Sequence, residues 1–117
     1  MCEVLSIERD GYRAAMGLAT KYGRWAAIWV WEADAGLLRD GHTQPYPDRA
    51  QAICGGARAL LESLESADRD EAEFYLPNPA VTGVARRRME RIRLWAEELA
   101  AKHRPVAQAV PLFGGDA

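Results

Sequence analysis

Between residues 12 and 44 apolar and polar positions alternate with a period of two, and from residue 47 onward the period lengthens to that of a helix. In YRAAMGLATK (12–21), Tyr12, Ala14, Met16, Leu18 and Thr20 share one parity, which predicts a strand. Tyr22-Gly23 is a turn. RWAAIWVWE (24–32) sets Trp25, Ala27, Trp29 and Trp31 on one side and Ala26, Ile28 and Val30 on the other. Both sides are apolar, as expected of a strand inside a sheet rather than at its edge. ADAG (33–36) is a second turn, and LLRDGHTQ (37–44) a third, weaker strand. Links this short predict an antiparallel meander. Residues 3–9 also alternate, with Leu5 and Ile7 on one side, and are read as an added N-terminal strand joined through Asp10-Gly11.

The helical stretch opens with Pro47 and Asp48, a good helix start. Ile53, Gly56, Ala57, Leu60, Leu61 and Leu64 then recur at helical spacing. Gly55-Gly56 costs a helix about 1 kcal/mol per glycine against alanine. The return expected is close approach of this helix to the sheet. SADRDEAE (66–73) reads as an acidic loop and AEFYLP (72–77) as a short buried strand. Asn78 is placed to cap a second helix with Pro79 at its first position. That helix carries Val81, Val84, Ala85, Met89, Ile92, Trp95 and Leu99 as one stripe. It stops near His103, because Pro105 disfavours helix at Arg104. PVAQAVPLF (105–113) reads as a last strand and 113–117 as a frayed tail. The order is β-β-β-α-β-α-(β): an α/β fold, a mixed sheet with helices packed on it, in a single domain over 1–117.

Composition narrows the classes. With 117 residues, 49% hydrophobic and 27% charged, the chain is typical of a globular domain. A net charge of -2 does not describe a polycation seeking nucleic acid. Two cysteines, Cys2 and Cys54, form no disulfide framework, so a cytoplasmic setting is expected. Cysteine and histidine spacings give no zinc signature, and no cofactor motif occurs. No apolar run reaches the ~18 residues of a membrane span.

The layout resembles the ribonuclease H-like fold over about residues 12–112. GRWAAIWVW resembles its glycine-led second strand, and LLRDGHTQPYPDRAQ its third strand with the turn into the first helix. Gly55-Gly56, followed by Ala59-Leu60, resembles the small residues and leucine of that helix. EFYLPNPAVTGV resembles the fourth strand entering the second helix. The resemblance implies carboxylates from three elements holding two metal ions that activate water. The matching places carry Thr20 or Lys21, Gln51 or Ala52, and Pro77 or Asn78, none of them an acid. If the first strand is instead 3–9, Asp10 takes the first place and the other two stay empty. The resemblance therefore implies a degenerate, non-catalytic member with no metal and no catalytic residue.

Two features are candidates for binding. Trp25, Trp29 and Trp31 could stack bases or grip a partner, although core beneath a helix is the commoner use of such a stripe. Arg86, Arg87, Arg88, Arg91 and Arg93 lie along the second helix, where residues 86–104 hold six arginines and one lysine against three glutamates. They could meet phosphates, or could simply complement residues 62–73, where six acids stand against one arginine. Glu32, Asp34, Asp40 and Asp48 offer a relocated metal site as the enzymatic alternative. The expectation is a non-catalytic binding module with a protein partner ahead of nucleic acid, which would use the basic helix. Such a chain suits an accessory or regulatory role, as in a mobile element or phage. The remaining alternatives are a metal-dependent nuclease with relocated carboxylates and a self-associating protein, a homo-oligomer built through the tryptophan strand.

Overall fold

The computed structural model describes residues 2–34, 37–74 and 79–104. Four strands come first: β1 (Cys2–Arg9), β2 (Tyr12–Lys21), β3 (Arg24–Asp34) and β4 (Leu37–His42). Two helices follow, α1 (Arg49–Phe74) and α2 (Pro79–Lys102). The strands form one sheet in the order β1-β2-β3-β4, with every neighbouring pair antiparallel.

Local chemistry sets the hairpins. Tyr22 and Gly23 both take positive φ, 55° and 76°, the backbone of a two-residue hairpin whose twist suits its strands. At the first hairpin Gly11 takes φ 89°, and the Arg88 guanidinium fills the place a side chain would need. Asp48 caps α1, its Oδ1 accepting from the Gln51 N–H at 2.8 Å.

Both helices lie on one face of the sheet. Met16, Leu18 and Ala27 pack with Ala52, Ile53 and Ala57 of α1. Ala14, Trp29, Trp31, Ala33 and Leu37 pack with Leu60, Leu64 and Ala67 of α1 and with Ala85, Met89, Ile92 and Ala96 of α2. The close approach expected at the paired glycines is present: a Cβ on Gly56 would lie 2.7 Å from Ala27 Cβ and 3.0 Å from Met16 Sδ. Trp31 is fully buried and its Nε1 donates to Ser63 Oγ at 3.1 Å.

The added N-terminal strand is present as expected, pairing with β2 from Cys2↔Ala19 to Arg9↔Tyr12. The structure is α/β, and three of its details correct the sequence-based expectation. Residues 66–73 are helix rather than loop, because Ala, Glu and Arg sustain a helix and no glycine or proline occurs among them. Of the strand expected over 72–77, residues 72–74 belong to α1 and the remainder lies outside the described residues. The described sheet is antiparallel rather than mixed, and the described order is β-β-β-β-α-α. The Asn78 cap, the strand over 105–113 and the tail lie outside the described residues. Among the described residues no helix is long and apolar enough to cross a membrane.

Candidate protein-binding face

Alternation along each strand sends every second side chain away from the helices. The register arranges these outward side chains in rows across the sheet. One row is Glu8, Arg13, Glu32 and Leu38, the next Ser6, Ala15, Val30 and Asp40, and the third Val4, Gly17, Ile28 and His42. Ala19 and Ala26 continue the middle of the sheet beyond them.

Neither helix touches this side, because both occupy the opposite face. The second apolar side of β3 is therefore open: Ile28 is 58% exposed, Val4 64% and Leu38 39%. Small residues make the centre low. Ala15, Gly17 and Ala19 on β2 stand beside Val30, Ile28 and Ala26 on β3, so the two branched β3 side chains rise next to a shallow trough. Contiguous exposed apolar surface of this kind marks interaction sites more often than isolated exposed residues do.

The charges sit at the two ends of the face and along the β4 edge. Three carboxylates, Glu8, Glu32 and Asp40, accompany Arg13, which donates from Nε to Glu32 Oε1 at 3.0 Å, while at the opposite end Lys21 and Arg24 pair across β2 and β3 on the same side. No Phe, Tyr or Trp stands on the face. It therefore lacks the π-surfaces on which bases stack, and its three cations, Arg13, Lys21 and Arg24, are matched in number by its carboxylates rather than gathered into an excess of positive charge.

The tryptophans predicted as binding residues are on the helix side. Trp29 and Trp31 are buried and Trp25 is half-buried against Leu18 and Ile53's cluster, so stacking a partner on Trp29 or Trp31 would require lifting the helices. The five arginines do not form one surface. Arg93 is held by Glu90, with Nε donating to Oε1 at 2.8 Å, and by Glu97 one turn on. These hydrogen bonds raise the Arg93 pKa above its ordinary value, and the bond from Arg93 lowers that of Glu90. Arg88 turns toward the sheet, covering Gly11 and reaching Ala33 O at 3.4 Å. Arg86, Arg87 and Arg91 remain on the exposed side of α2. Arg86 and Arg93 line a groove of about 410 Å³ between the helices with Glu65, Glu90 and Glu97, over Leu61, Leu64 and Met89.

The acids considered for a relocated metal site are used elsewhere or apart. Asp48 caps α1 and Glu32 accepts from Arg13. Among the described residues no three His, Cys, Asp or Glu side chains converge as metal ligands would. Thr20 and Lys21 end β2, and Gln51 and Ala52 lie in the first turns of α1. His103 Nδ1 lies 3.0 Å from Leu99 O at the end of α2.

The residues of the open face were not singled out from the sequence. Their signal was the small, apolar second parity of β2 and β3, which fits a covered face as well as an exposed one. Comparison with known proteins finds no matching family model, no matching curated protein and no matching solved structure.

Proposed function

We propose that this chain is a non-catalytic binding module that holds a protein partner on the uncovered face of its sheet, in an accessory or regulatory role. The observation that carries this is the apolar centre around Ile28, Val30, Ala15 and Gly17, left open while the opposite face is fully packed. An apolar strip costs little to desolvate, and burial there stabilises a complex by about 25 cal/mol per Å² before the costs of association. The partner's matching surface is apolar at its centre, with basic side chains toward Glu8, Glu32 and Asp40 and acidic ones toward Lys21 and Arg24. None of this requires the ribonuclease H-like resemblance.

Nucleic acid is the second reading, supported by Arg86, Arg87 and Arg91 on the outer side of α2. It is the weaker one, because Arg93 is committed to two glutamates and the groove beside it is lined by more acids than arginines.

The test is Ile28→Lys against Arg87→Glu with Arg91→Glu. Once a partner is isolated and purified, Ile28→Lys should weaken its binding at least tenfold with the melting temperature unchanged, while the arginine variant binds normally. The reverse pattern would move the site to α2.

A further inference from the structure

The two edges of the sheet are unlike. β4 is six residues long, starts at a register irregularity between Glu32 and Asp34, and leads into a segment whose Tyr46 returns to bridge Trp25. β1 has eight residues in unbroken register with β2, no proline and no bulge. The helices pack mainly on β2, β3 and β4, so Leu5 and Ile7 stay only half-buried at the border of the core. A long regular edge with apolar side chains is a template for a further strand.

The sequence of β1 selects which strand. In an antiparallel pair of two β1 strands, the register centred on Ser6 sets Glu3 opposite the second copy's Arg9 and Leu5 opposite its Ile7, each twice by symmetry. Displacing it by one position in one direction opposes Glu3 to Glu8, and in the other opposes Leu5 to Glu8. Displacing it by two positions opposes Glu3 to Ile7 in one direction and Leu5 to Arg9 in the other. Among these registers only the Ser6-centred one opposes Glu3 to Arg9 and Leu5 to Ile7 on both sides of the axis, with Val4 facing Glu8 as its one mismatch; opposite charges facing across strands are favourable while like charges are not. Arg9 extends at the exposed end of β1, donating from Nη1 to Glu8 O at 2.8 Å. Glu3 lies at the other end, where Arg49 Nε donates to its Oε1 at 2.7 Å, and a second guanidinium there would further neutralise it.

We propose that two copies of this chain pair through β1 about a two-fold axis at Ser6. The pairing joins two four-stranded sheets into one continuous sheet. Residues of equal parity face each other, so the uncovered face of one copy continues into that of the other. The contact is isologous and closes on itself, which ends assembly at a dimer. It uses β1 rather than the tryptophan strand, and it stands independently of whatever partner the face binds.

The register makes the test specific. Facing residues of an antiparallel pair have Cα atoms about 4.5–5.5 Å apart, within the span of a disulfide. Ser6→Cys, in a Cys2→Ser background, should therefore oxidise to a covalent dimer. Val4→Cys should not, because it would sit four positions from its own symmetry mate, about 14 Å along the strands. Sedimentation of the native chain should show a reversible monomer–dimer equilibrium, and Arg9→Glu should weaken it at least tenfold by opposing two glutamates twice. All three side chains are exposed, so the variants should fold. A native chain that stays monomeric to near-millimolar concentration overturns the proposal, as does cross-linking at Val4→Cys in preference to Ser6→Cys. Dimerisation unaffected by Arg9→Glu overturns the register.

Discussion

Trp31 and Trp29 stand two residues apart on the same side of β3, and only one of their indole N–H groups is satisfied. Trp31 Nε1 donates to Ser63 Oγ at 3.1 Å, whereas Trp29 Nε1 is buried with no hydrogen-bond partner among the described residues. A buried donor left without an acceptor costs about 1–3 kcal/mol. Trp31→Phe removes a made bond and Trp29→Phe removes an unmade one. The Trp31 variant should therefore lose more stability, by about 1–2 kcal/mol, although both lose similar volume. Urea denaturation of the two variants measures the difference.

Gly56 tests the contact between α1 and the sheet. Alanine is the better helix former by about 1 kcal/mol. The added Cβ would stand 2.7 Å from Ala27 Cβ, which is fixed to a central strand and cannot move aside. Overpacking of this kind costs about 1–3 kcal/mol. Gly56→Ala should thus lower the melting temperature despite the gain in propensity, while Arg58→Ala, two positions on at an exposed site, should leave it nearly unchanged.

The Glu3–Arg49 contact predicts a sign for the pH dependence. Hydrogen bonding from Arg49 lowers the Glu3 pKa below its ordinary value of 4.5 in the folded chain. Its contribution is present above that value and is lost as pH falls through the lower, folded one. Glu3→Gln should therefore flatten the acid limb of a stability–pH curve and leave the curve above neutrality parallel to that of the native chain. The effect should be small and should shrink with added salt, since both side chains are solvent-exposed.

The basic helix has its own expectation. Phosphate contacts release counterions, giving a log–log salt slope of about -0.7 per contact on single strands. Arg87 and Arg91 lie among Glu90, Glu97 and Glu98 on a chain of net charge -2. Titration with single-stranded DNA at low salt should show no tight complex, before or after Arg87→Glu with Arg91→Glu. Incubation with RNA, single-stranded DNA or RNA–DNA hybrid in Mg²⁺ or Mn²⁺ should give no cleavage that a chelator abolishes.

Alternation exposed the meander to a reader of the sequence, because period-two patterning and the Asp10-Gly11 and Tyr22-Gly23 turns are local signals. The helix-to-sheet contact at Gly55-Gly56 was legible too, since two glycines inside a helix need a reason. The end of α1 was not. Residues 66–73 are polar enough for a loop and equally able to form a solvated helix, and only their attachment to the stripe of Leu60, Leu64 and Ala67 decides. The open face was hidden by a different ambiguity. Ala26, Ile28 and Val30 are apolar whichever layer lies over them, and the number of covering layers is set by where both helices go, which is a long-range property. The arginine run misled by adjacency, because helical geometry sends Arg88 inward to the β1–β2 turn and ties Arg93 to Glu90 and Glu97.

A photo-cross-linking residue placed at Ile28, and separately at Arg91, measures the central claim in the protein's native setting. The account predicts a discrete adduct from position 28 that is destroyed by protease and unaffected by nuclease, with little product from position 91. A nuclease-sensitive adduct from position 91, with none from position 28, would contradict it and make nucleic acid the partner.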